Sequence, residues 1–146
     1  MSKIIKFSSI LTIVFMLTAC SEKSKNENQS LDTSISKIEV IDFHSTHRCM
    51  TCKAIEANTK YTLDTYFSNE LKTDKISFQV INVDEQANEK IAEKFEASGT
   101  ALYMNVIKNG KENKIDLTEF AFMEGNDQKA FSEALKNKID TQLKTL

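Results

Sequence analysis

Proline is absent from all 146 residues, glycine occurs three times and cysteine three times. Without proline there is no X-Pro bond to adopt the cis form that many active-site loops rely on. Three scattered glycines, Gly99, Gly110 and Gly125, cannot compose a G-x-G-x-x-G turn, so the fingerprint of a dinucleotide site is missing and no resident cofactor is expected. No stretch interleaves clustered basic residues with aromatics, which argues against nucleic acid as a partner. What is present, 40% hydrophobic and 27% charged residues, is the composition of an ordinary globular protein with room for one domain.

The first residues carry two lysines, Lys3 and Lys6, followed by an apolar run from Phe7 to Met16 and then Leu17-Thr18-Ala19-Cys20. A basic start, an apolar segment of this length and a small-residue junction predict an export signal rather than a membrane-spanning helix. Leu17 to Cys20 also resembles the lipobox of bacterial lipoproteins. That resemblance implies cleavage before Cys20, acylation of its thiol and a lipid anchor in a cell membrane, with the protein facing the periplasm or the exterior; Ser21 fits outer-membrane sorting. Residues 1–19 are then a signal peptide. Their loss removes Lys3 and Lys6, leaving 17 basic against 21 acidic residues, a net charge of about −4. Residues 20–36 are polar and aperiodic and read as a flexible tether, with a folded domain over 37–146.

Within that domain the pattern alternates. Lys37 to Phe43 is rich in β-branched and apolar residues, whereas Ile55, Leu63, Phe67 and Leu71 recur at multiples of four and predict one long helix from Cys49. Ile76 to Val83 reads as a buried strand, with Asp84 as the N-cap of a helix that presents Ile91, Ala92 and Phe95. Leu102 to Ile107 and Ile115 to Leu117 read as two strands around the Asn109-Gly110 hairpin turn. Asp127 caps a final helix with the stripe Phe131, Leu135, Ile139 and Leu143.

Cys49 and Cys52, at the junction of the first strand and first helix, hold the chemistry. Two cysteines three residues apart on a first helical turn can form a disulfide, and the helix dipole favours the thiolate of the first. Arg48 adds a positive charge beside Cys49, and His47 is a further candidate for tuning its proton affinity. The helix start and Arg48 together should bring the Cys49 pKa below about 8.5, the value of a free cysteine.

The order β-α-β-α-β-β-α, with C-x-x-C at the first strand-to-helix junction and Asn-Gly in the last hairpin, resembles the thioredoxin fold, a three-layer α/β/α sandwich with a mixed central sheet. The string Phe43-His44, Arg48-Cys49, Thr51-Cys52-Lys53 and Glu56, taken with the lipobox, is similar to a branch of small thioredoxin-like lipoproteins that bears the name nitrophenyl compound nitroreductase subunit ArsF family. No nitroreductase activity follows from that name, because no hydride-carrying cofactor site is visible.

The resemblance implies thiol–disulfide exchange with a protein redox partner. Cys49 is then the exposed nucleophile and Cys52 the resolving thiol. Asp42 resembles the buried carboxylate that accepts the proton of the second cysteine, although it lies one residue further from the C-x-x-C than the family pattern has it; the alternative is an aspartate at a strand end. Thr100, Ala101 and Leu102 fall where thioredoxins place the substrate-orienting loop, with Leu102 at the position of the cis-proline. A non-proline cis bond costs about 2.5–4 kcal/mol, so a trans loop is expected.

Two further readings of the same residues stand beside exchange. His44, His47, Cys49 and Cys52 spell H-x-x-H-x-C-x-x-C, a donor set suited to Zn(II), Cu(I) or trivalent arsenic in a metal or metalloid carrier. Otherwise the disulfide is a staple in an interaction module.

Overall fold

A computed structural model describes residues 36–146. The expected signal peptide, the expected acylation site at Cys20 and nearly all of the expected tether lie outside the described residues. No helix among the described residues is long and apolar enough to cross a membrane.

Four strands, β1 (Lys37–His44), β2 (Ile76–Asn82), β3 (Ala101–Lys108) and β4 (Lys111–Asp116), form one mixed sheet in the order β2-β1-β3-β4. β1 runs parallel to β2 and antiparallel to β3, and β3 pairs antiparallel with β4. The helices are α1 (Met50–Tyr66), α2 (Ser68–Lys72), α3 (Glu89–Lys94), α4 (Thr118–Glu124) and α5 (Gln128–Leu143).

β1 is an inner strand covered on both faces, which is why Ile38, Val40, Ile41 and Phe43 are all buried. Ile38 and Val40 point to a core shared with Ile55 and Leu63 of α1, Ala121 of α4, and Phe131, Leu135 and Ile139 of α5. Ile41 and Phe43 point to the other face, against Phe95 and Ala97 at the end of α3. There Phe43, Phe95 and Tyr103 form a triangle with ring centroids 5.3–5.9 Å apart, within the range of favourable aromatic pairs. Helices on both faces of a mixed sheet make this a thioredoxin-like three-layer α/β/α sandwich. The charged, exposed β4 forms one edge, a composition that discourages pairing with another chain.

Local signals explain the β3–β4 hairpin and the start of α5. Asn109 and Gly110 both have positive φ, 51° and 74°, as the tight hairpin turn requires. The Asp127 side chain accepts from Ala130 N–H at 3.0 Å and so starts α5.

Two expectations are corrected, and the structure adds one element. The long first helix is two, because Phe67 leaves helical geometry at φ −129° to bury its ring, 3% exposed, and α2 restarts behind it. Asp84 caps no helix: a 3-10 turn over Gln86–Asn88 intervenes, and α3 begins only at Glu89. The stretch after β4, unassigned from the sequence, forms α4, whose Ala121 packs into the core.

Candidate functional site

The first turn of α1 is built around the two cysteines. Cys49 is the N-cap residue, in extended geometry, and its Sγ accepts from Cys52 N–H at 3.0 Å. A sulfur thus occupies the position where Ser or Asp would satisfy an orphan helical N–H. The two cysteines form a disulfide with their Cα atoms 5.1 Å apart. Cys49 is exposed and Cys52 is buried, so only one sulfur of the pair faces an incoming reactant. Met50, between them, is 87% exposed and gives the rim of the site an apolar contact.

Asp42 lies beneath this turn. In register it stands between Val80 of β2 and Leu102 of β3, and by strand alternation it shares the face of Ile38 and Val40, the face that α1 covers. Its side chain is completely buried, and Oδ1 has no hydrogen-bond partner among the described residues. Burial pushes its carboxyl up to about 7 despite the neighbouring Arg48 guanidinium, which pulls it down, while Glu56 pushes it further up. The Coulomb attraction of one cation does not repay the lost hydration of a fully buried carboxylate.

Arg48 faces inward, not toward Cys49. One amino group donates to Asp42 Oδ2 at 3.3 Å and to the Cys52 carbonyl at 3.1 Å; the other donates to Glu56 Oε2. Its charge is therefore committed to two carboxylates. Glu56 enters the site because it lies one helical turn beyond Cys52 on the same face, a spacing that could have drawn attention to it beforehand.

The loop from Ser45 to Arg48 is held from the neighbouring strand end. Thr46 N–H donates to Asp84 Oδ2 at 2.7 Å, and Asn82 Nδ2 donates to Thr46 Oγ1 at 3.1 Å. Bonding from Thr46 holds the exposed Asp84 carboxyl below the usual carboxylate range, with His47 and His44 adding to the effect. The residue expected to start a helix instead anchors the loop that leads into Cys49.

His44 Nδ1 lies 2.9 Å from the Ser45 carbonyl, and His47 is exposed. The set His44, His47, Cys49 and Cys52 does not converge: no group of three or more His, Cys, Asp or Glu side chains among the described residues is arranged to hold a metal ion. Thr100 and Ala101 are half-buried beside β1. Leu102 is fully buried within β3, its N–H on Thr118 Oγ1 at 3.2 Å and its carbonyl accepting from Leu117 N–H at 2.8 Å. Its backbone is thus engaged by the start of α4, and no cis peptide bond occurs among the described residues.

α4 closes the site from the side. Thr51 Oγ1 is 3.4 Å from Asn126 Oδ1, and Asn58 Nδ2 donates to the Gly125 carbonyl at 2.9 Å. A Cβ on Gly125 would stand 2.6 Å from the Ala121 carbonyl and 3.1 Å from both Ile55 and Thr51, so glycine permits this close approach to α1.

No family model and no curated protein matches the sequence. Among solved structures the chain is similar to thioredoxin NaTrxh from Nicotiana alata, at 22% identity over 76% of this chain and 77% of that one, with a TM-score of 0.46. It is also similar to the oxidised form of mitochondrial thioredoxin 3 from Saccharomyces cerevisiae, at 22% identity, 65% and 79% coverage and a TM-score of 0.41. A thioredoxin from Malassezia sympodialis is 26% identical, with 64% and 79% coverage and a TM-score of 0.40.

Proposed function

We propose that this protein is a thiol–disulfide exchange protein, anchored by an acylated Cys20 to the outward face of a cell membrane and acting on a protein partner through Cys49 and Cys52. The observation that carries the reading is the asymmetry of the pair: an exposed Cys49 sulfur at a helix N-terminus, joined to a buried Cys52. Exposure decides which sulfur is attacked, and the Cys52 N–H at Cys49 Sγ favours the thiolate that forms there.

In the direction that oxidises the partner, a partner thiolate attacks Cys49 Sγ. The Cys49–Cys52 bond breaks, and Cys52 leaves with its electron pair as a thiolate. Asp42 is the nearby carboxyl suited to give it a proton, since burial keeps that proton bound up to about pH 7. The second thiol of the partner then attacks the mixed disulfide, releasing Cys49 as a thiolate. Two electrons pass from partner to protein: the partner leaves as a disulfide and the cysteines remain as thiol and thiolate. The reverse sequence reduces a partner disulfide.

The lipobox-like Leu17 to Cys20 and the string around Cys49 support membership of the small lipoprotein branch named above; nitroreduction is not part of the proposal. The experiment is to express Cys52→Ser in cells and search for a mixed disulfide. A reductant-sensitive adduct on Cys49, absent from the Cys49→Ser/Cys52→Ser variant, is the expected result. No adduct, together with a wild-type couple below about −300 mV, would mean that the disulfide is a structural staple.

A further inference from the structure

The Arg48 guanidinium makes three contacts that cysteine exchange by itself does not require, and they join two carboxylates to the helix turn that carries the disulfide. One amino group holds Glu56, and the other holds both Asp42 and the Cys52 carbonyl. The side chains of Arg48 and Asp42 are 16% and 0% exposed, whereas that of Glu56 is 34% exposed. One cation thus serves a sealed carboxyl and a half-exposed one. With Asp42 ionised the three groups sum to one negative charge, and with Asp42 protonated to none.

The neighbours of Asp42 leave few other influences. Val80 and Leu102, its partners in register on β2 and β3, are uncharged. The loop supplies Arg48 and α1 supplies Glu56, and among the described residues no charged side chain of α4 or α5 acts on the Asp42 carboxyl. Lys53, next to Cys52 in sequence, is exposed.

We propose that Arg48 and Glu56 are positioning residues for proton transfer between Asp42 and Cys52, and that they act with opposite sign. The inference rests on the exchange reading above. When the disulfide opens, the proton moves from the Asp42 carboxyl to the Cys52 sulfur, leaving a carboxylate beside Arg48; reoxidation returns it. Arg48 favours that carboxylate and so eases release. Glu56 repels it and draws the guanidinium partly away, so the proton is retained until a thiolate needs it. The same contact with the Cys52 carbonyl keeps the helix turn seated over Asp42 while the sulfurs part.

The test is the pH dependence of the midpoint potential of the full-length protein in glutathione redox buffers from pH 5 to 9. In the wild type the potential bends at the pH where Asp42 titrates, and Asp42→Asn abolishes the bend. Glu56→Gln is expected to move it to lower pH and Arg48→Met to higher pH, each by about half a unit, a threefold change in proton affinity. Arg48→Lys, which keeps the charge but not the forked geometry, falls between wild type and Arg48→Met. A network that merely braces the fold would, when loosened, let water reach Asp42 in both variants and move the bend the same way. Bends that move together, or that stay at the wild-type pH, overturn the proposal while leaving exchange intact. Should Arg48→Met not fold, Glu56→Gln decides, since Glu56 is half-exposed and its amide preserves shape; an unmoved bend there is sufficient to reject. A wild-type protein with no glutathione-titratable couple would instead reject the exchange reading itself.

Discussion

Arg48 donates to Asp42 at 3.3 Å, and this inward ion pair redirects the one cation that flanks Cys49 in the sequence. The helix start, with its Cys52 N–H on the Cys49 sulfur, is left as the main source of positive potential at the exposed cysteine. The guanidinium instead serves the buried side of the pair.

Asp42 should make the fold less stable as the solution becomes more basic. Its ordinary value of 3.8 is raised to about 7 by burial, so between those values the unfolded chain has lost a proton that the folded one keeps. That contribution to stability is complete below about pH 4 and drains away as the pH rises through 7. Asp42→Asn removes it, and the stability difference between pH 5 and pH 8 should narrow by roughly 2–3 kcal/mol. Urea unfolding of the oxidised protein at both values measures this; an unchanged difference would mean that Asp42 is ionised throughout.

Replacing both cysteines with alanine should abolish the proposed exchange and lower stability only modestly, by roughly 2 kcal/mol, because the bridged loop spans so few residues. Denaturant midpoints of the oxidised wild type and the double variant give the number. A loss above about 5 kcal/mol would indicate that the bridge braces the core.

Gly125→Ala tests the docking of α4 on α1. The added methyl meets the Ala121 carbonyl at 2.6 Å, an atom that cannot rotate aside, so the chain itself must shift. A cost of about 1–3 kcal/mol is expected, with amide shifts at Thr51 and Ile55 in NMR spectra. Unperturbed resonances at those two residues would show that α4 is not seated there.

Asp84→Ala should release the Ser45–Arg48 loop without unfolding the domain. The Thr46 amide loses its acceptor at 2.7 Å, and its protection against hydrogen exchange should fall toward that of an open loop. The wild-type protection should follow the carboxylate: present at neutral pH, and lost only below the usual aspartate range because Thr46 holds the folded value down. Protection that survives in the variant would place the restraint elsewhere.

Local pattern determined a large part of this protein. Alternating and fourfold apolar spacing marked β1, β2, β3 and α5, since burial of one face leaves its period in the sequence. Asn109-Gly110 marked the hairpin because few other residues tolerate positive φ twice in succession. The C-x-x-C pair marked the disulfide-bearing turn, because two thiols one helical turn apart meet wherever that helix packs. α4 escaped notice because its seven residues offer one fully buried side chain, Ala121, too little for a period to emerge.

Tertiary structure alone decided what the charges do. Asp42, Arg48 and Glu56 are six and eight residues apart, and no helical or strand spacing brings all three together. They meet because α1 crosses the face of β1, and because sheet register sets Asp42 on that covered face, beside the fully buried Leu102. Asp84, 38 residues from Thr46, became a loop anchor for the same reason: the parallel pairing of β1 with β2 brings their C-terminal ends side by side. Sequence spacing governs which side chains share a face, whereas the fate of a charge depends on desolvation and on partners from other elements, and both exist only once the layers have packed.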